Sequence, residues 1–71
     1  MKAIVTEFRL IQSLHNREDY IFVARIELPE TPDKGEVVNI NGQPYVVYNK
    51  GWAFSDESTK HYCYIDLLRG E

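Results

Sequence analysis

Apolar and polar residues alternate with a period of two along most of this chain, which predicts strands joined by short polar turns. Within Ala3 to Leu14, Ile4, Thr6, Phe8 and Leu10 fall on one parity and Val5, Glu7, Arg9 and Ile11 on the other, the pattern of a half-buried strand. His15 to Asp19 interrupts it with polar and charged residues and is expected to be a hairpin loop. A second strand follows, with Tyr20, Phe22, Ala24, Ile26 and Leu28 on one face and Ile21, Val23, Arg25 and Glu27 on the other. A helix over Arg17 to Leu28 is the alternative, because Tyr20, Val23, Ala24 and Glu27 would also share a helical face. The β-branched content and Pro29 weigh against it.

Pro29 to Gly35 has the composition of a loop, with Pro32 presetting φ, Asp33 able to bond its neighbouring backbone and Gly35 able to take a left-handed conformation. The run Gly35 to Tyr48 then forms two alternating segments around Asn41-Gly42, a pair that supplies the positive φ angles of a two-residue hairpin turn. That turn sets Ile40 opposite Gln43, Val38 opposite Tyr45, Glu36 opposite Val47, Val37 opposite Val46 and Asn39 opposite Pro44. Val38, Ile40, Tyr45 and Val47 make the longer apolar run and are assigned to the core.

Gly51 is expected to mark a bulge or bend before a strand from Trp52 to Ser55. Asp56 to Lys60 is a polar turn, and His61 to Leu68 closes the chain as a strand with Cys63, Ile65 and Leu67 opposite Tyr62, Tyr64, Asp66 and Leu68. The fold class expected is all-β: a single domain over residues 1–71, built as a small five-stranded antiparallel barrel or a compact sandwich.

The stretch Lys34 to Val47 resembles the Gly-acidic-Val … Ile-x-Gly-x-x-Tyr-x-Val hairpin that recurs in SH3-like small barrels. The resemblance covers about a fifth of the chain and implies fold alone, because such hairpins serve proteins of unrelated activity, translation factors and phage connector proteins among them. The whole chain also resembles the very short proteins that phages and mobile elements encode.

Size sharpens the picture. A core within 71 residues usually supplies only about 3–5 kcal/mol, so folds of this length lean on a disulfide, a metal, a ligand or a partner. Cys63 is the only cysteine, which excludes an intrachain disulfide and fits a reduced, cytoplasmic protein. Five Tyr, three Phe and one Trp provide the apolar area that so short a chain needs. Eight basic and eleven acidic residues give a net charge of −3 without a basic block, a poor footprint for nucleic acid. No apolar run approaches the roughly 20 residues of a membrane helix, and no signal peptide is expected.

Candidate chemistry is sparse. His61 and Cys63 share one face of a strand with Cα atoms roughly 6.5–7 Å apart, too far for a nucleophile and base without help. As metal ligands they would need further donors, and only His15 remains. Glu18-Asp19 and Asp56-Glu57 fall in predicted turns, the four Gly residues are scattered and Gly-x-Ser-x-Gly is absent, so no catalytic residue, metal or cofactor is assigned and an enzyme is the least supported class. The aromatics suggest more. Val37, Val46 and Tyr48 form an apolar strip outside the assigned core, as do Ile21 and Val23, and such strips either mark interfaces or are drawn inward by a coiled sheet. Tyr62 and Tyr64, with Tyr48 and Trp52 near Gly51, could stack on a planar ligand, with Arg17, Arg25 or Lys50 serving phosphates. The expected function is therefore non-enzymatic: a barrel that presents an aromatic and aliphatic face to a protein partner, first of all itself as a homo-oligomer. A small-molecule or nucleotide-binding barrel is the alternative, and a nucleic-acid-binding barrel comes third.

Overall fold

The computed structural model describes residues 3–13, 15–54 and 61–70. Every regular element among them is a strand: β1 (Ile4–Ser13), β2 (Asn16–Leu28), β3 (Val37–Ile40), β4 (Gln43–Ala53) and β5 (Tyr62–Arg69). They form one sheet in the order β2-β1-β5-β4-β3, curled into a half-barrel. The segment for which a helix was the alternative is thus the longest strand, consistent with its β-branched and aromatic content. No helix among the described residues is long and apolar enough to cross a membrane.

The hairpin of β3 and β4 follows from its turn chemistry. Asn41 and Gly42 both take positive φ, 53° and 83°, and the pairs Val37–Val46, Val38–Tyr45, Asn39–Pro44 and Ile40–Gln43 follow. The ladder runs on through Gly35 and Glu36, whose backbones exchange hydrogen bonds with Val47 at 2.9 Å. The preceding loop is closed by a reciprocal pair: the Glu36 carboxylate accepts from the Asp33 N–H at 2.7 Å, and the Asp33 carbonyl accepts from the Glu36 N–H at 3.1 Å.

Three of the four strand pairings are antiparallel, and β1 with β5 is parallel, with Phe8 beside Ile65. The concave face holds the core, in which Val47, Cys63, Ile65 and Leu67 are essentially inaccessible and Phe8, Leu10 and Tyr45 are buried around them. Val38 and Ile40 pack against this cluster, as their parity predicts. Thr6 is fully buried there too, and its hydroxyl is satisfied by donating to the Ile4 carbonyl at 3.1 Å.

Three local expectations are corrected. Most of the loop expected over His15 to Asp19 is strand, because β1 and β2 stay paired as far as Ser13–Asn16, and exposed polar residues suit a ribbon end that faces water on both sides. β2 carries an extra residue at Val23, between the pairs Phe8–Ala24 and Arg9–Phe22, and the register shifts again between Ile11–Tyr20 and Ser13–Asn16. Ile21 therefore shares the concave face with Ala24, Ile26 and Leu28, while Tyr20 and Phe22 join Arg25 and Glu27 on the convex face. The bulge expected at Gly51 lies instead at Tyr48, between the pairs Val47–Leu67 and Asn49–Asp66, and β4 runs through Gly51 to Ala53 without a break. Gly51 serves another need: a Cβ there would collide with the Tyr64 ring lying across it from β5.

Candidate functional site

The half-barrel leaves β2 and β3 as edges that do not pair with each other. Between them lies a groove of about 430 Å³, floored by Phe8 and walled by Ile26 and Leu28 on one side and Val38 and Ile40 on the other. The loop after β2 closes one end and brings Glu30, Asp33 and Glu36 to the rim. A 3.4 Å ion pair from Lys50 to Asp33 fastens this loop to β4. Apolar residues continue along the β2 edge: Tyr20, Ile21, Phe22 and Ile26 are all exposed. A free edge offers backbone N–H and C=O groups to an incoming strand, and a flanking apolar wall selects alternate side chains of that strand.

The convex face holds a different assembly. Arg9 lies between two rings, 4.6 Å from the centre of Tyr20 and 4.8 Å from that of Tyr64. Its Nε donates to Glu7 at 2.7 Å and its Nη2 to the Tyr62 hydroxyl at 3.2 Å. Arg25 stacks on Tyr62 at 5.0 Å and meets the same Glu7 carboxylate at 3.4 Å. Burial opposes the charge on Arg9, but the Glu7 carboxylate and the two tyrosines Tyr20 and Tyr62 outweigh it and raise the guanidinium above its ordinary pKa. A polar cleft of about 200 Å³ opens beside it, lined by Arg9, Glu18, Asn49, Tyr64 and Asp66. Asp66 is only 3% exposed, and among the described residues its carboxylate accepts one long bond, 3.4 Å from the Asn49 amide.

The residues singled out from the sequence divide between these regions. Tyr62 and Tyr64 are together on the convex face, whereas Trp52 pairs with Cys63 and so belongs to the concave side. Trp52 stacks instead with Phe54, 6.5 Å between centres, and Phe54 meets His61 edge-on at 5.3 Å. Tyr48 is the half-buried bulge residue, so the four rings do not make one platform. Val37 and Val46 are cross-strand partners on the convex side of the β3–β4 hairpin, Val37 largely exposed and Val46 half-buried. Of the proposed phosphate partners, Arg25 does stand beside Tyr62, Lys50 is engaged with Asp33, and the Arg17 side chain lies outside the described residues. Glu57 and the turn around it also lie outside them.

Cys63 is fully buried, and burial pushes its thiol up despite the nearby Lys50 and Thr31. That disfavours the nucleophilic thiolate. No group of three or more His, Cys, Asp or Glu that could hold a metal occurs among the described residues. The residue that sequence reasoning missed is Arg9. An arginine alternating with Glu7 reads as a solvated face, and only the β1–β5 pairing brings it under the tyrosines of a strand more than fifty positions away. Comparison with known protein families, with curated proteins and with solved structures finds no match to this chain.

Proposed function

We propose that this chain is a non-enzymatic protein-binding module whose partner, in the first instance another copy of itself, adds an extended segment to the open edge of the half-barrel. The supporting observation is the conjunction of a free β2 edge with an apolar groove walled by Ile26, Leu28, Val38 and Ile40. Exposed large apolar side chains concentrated on one long edge strand are a liability in a protein that keeps to itself, and natural sheets usually blunt such edges with lysine or proline. β2 contains neither, and although it carries charges and a bulge at Val23, the run Ala24 to Leu28 beyond the bulge stays regular.

Binding would gain its affinity from backbone hydrogen bonds along β2 and its selectivity from alternate side chains seated over Phe8. A nuclear magnetic resonance titration with synthetic peptides that alternate apolar and basic residues tests this, the basic residues answering the acidic rim. The expected outcome is amide shifts concentrated in β2 and β3; shifts absent there, at any peptide concentration, count against the reading.

A second reading rests on Asp66. Its carboxylate lines the convex cleft and, among the described residues, accepts only the long Asn49 bond, which leaves lone pairs for a ligand's donors. The convex cleft would then take a small polar ligand, such as a nucleotide base, with donors for Asp66 and an acceptor for Arg9. A nucleotide and metabolite panel that raises the melting temperature, with the rise abolished in Asp66→Asn, supports it. A flat panel discards it.

A further inference from the structure

We infer that the groove is filled by a second copy of this chain, in which Ala24 to Leu28 pairs antiparallel with the same segment of its neighbour about a two-fold axis through Ile26; this rests on the protein-binding reading above. The argument begins with where β2 is uninterrupted. The Val23 bulge breaks the ladder on one side, and Pro29, which has no N–H to donate, ends it on the other. The regular run between them is Ala24 to Leu28, and its midpoint is Ile26. An isologous contact between two identical segments uses the whole run only in the register centred on that midpoint; every other register shortens it or runs it into the bulge or the proline.

That register also matches the side chains. On the concave face Ile26 meets its own copy, and Ala24 lies opposite Leu28 of the second chain, so a small residue faces a large one over the groove. On the convex face Arg25 lies opposite Glu27 of the second chain, and Glu27 opposite its Arg25. The Arg25 side chain is 52% exposed despite its contact with Glu7, which leaves it room for a second carboxylate. The pairing would thus turn two five-stranded half-barrels into one continuous sheet and cover the most exposed part of the groove wall.

Sedimentation of the full chain, from low to high micromolar concentration, tests the inference, with circular dichroism confirming that each variant is folded. The wild type is expected to show a monomer–dimer equilibrium. Arg25→Glu and Glu27→Arg, each creating two like-charge contacts across the axis, should weaken it by about tenfold, and the double exchange should restore it. Ile26→Lys should give a folded monomer. A wild type that stays monomeric throughout overturns the inference, as does a dimer whose constant neither charge reversal alters. A monomer whose β2 and β3 amides still respond to the alternating peptides overturns self-pairing while leaving the protein-binding reading standing; a monomer indifferent to them removes both.

Discussion

The middle of the sheet and its edges are built on opposite terms. In β5 and the strands flanking it, Ile65, Leu67, Cys63, Val47 and Thr6 are sealed from water, and each is held by neighbours on both sides. On β2 and β3 residues of the same chemistry, Ile21, Ile26 and Val37, are exposed. Composition does not distinguish the two regions; position in the strand order does. Ile65 and Leu67 in β5 are buried because they lie on the concave face with a strand on either side, whereas the equally apolar Ile26 in β2 has a neighbouring strand on one side only.

Matched deletions would break this contrast most decisively. Ile65→Ala should cost roughly 2–5 kcal/mol, comparable to the whole stability of so small a fold, and leave the chain largely unfolded at room temperature in a urea titration. Ile26→Ala should cost less than about 1 kcal/mol in the monomer. Equal losses at the two positions would mean that the edge is already covered. Next in size is Gly51→Ala, where the new methyl group meets the Tyr64 ring held from the far side by Arg9. The expected loss is roughly 1–3 kcal/mol, and it should shrink when Tyr64 is truncated as well, which a double-mutant cycle in urea would show.

Cys63 sharpens the comparison from the core side. Its folded pKa is raised by burial, so as pH climbs through the ordinary thiol range the unfolded chain loses the proton first and stability declines; below that range the group contributes no slope. Alkylation of the native protein should therefore be slow and should speed up only in denaturant. Rapid native alkylation would show that the centre opens. The smallest effect belongs to the other edge: Val37→Thr should change stability by no more than about 0.5 kcal/mol, since the side chain is 63% exposed.

What could be read from the residues alone follows the same division. The β3–β4 register was readable because Asn41-Gly42 permits few turn geometries: four of the five pairs it implies are present, and at the fifth Val47 bonds to both Gly35 and Glu36. The concave residues of β1 and β5 followed from plain alternation. Alternation failed where one residue is added to a strand. Val23 and Tyr48 exchange the faces on either side of them, and neither is a glycine or proline that would announce a bulge. Trp52 and Lys50 were displaced from their expected neighbours for that reason alone. The Arg9 cluster was unreadable for a different reason, since its members come from three strands and no local spacing connects them.

The parallel seam between β1 and β5 joins the two ends of the molecule, and it orders events in time. The β1–β2 and β3–β4 hairpins each pair neighbouring segments, yet neither pairs with the other; β5 lies between them and hydrogen-bonds to both. Pairing of β5 is therefore the step that converts two separate ribbons into one sheet, and such a long-range closure folds slowly for its length. Without β5 the two hairpins would keep Phe8, Leu10, Tyr45 and Val47 but lose Cys63, Ile65 and Leu67, the residues that join them into one core.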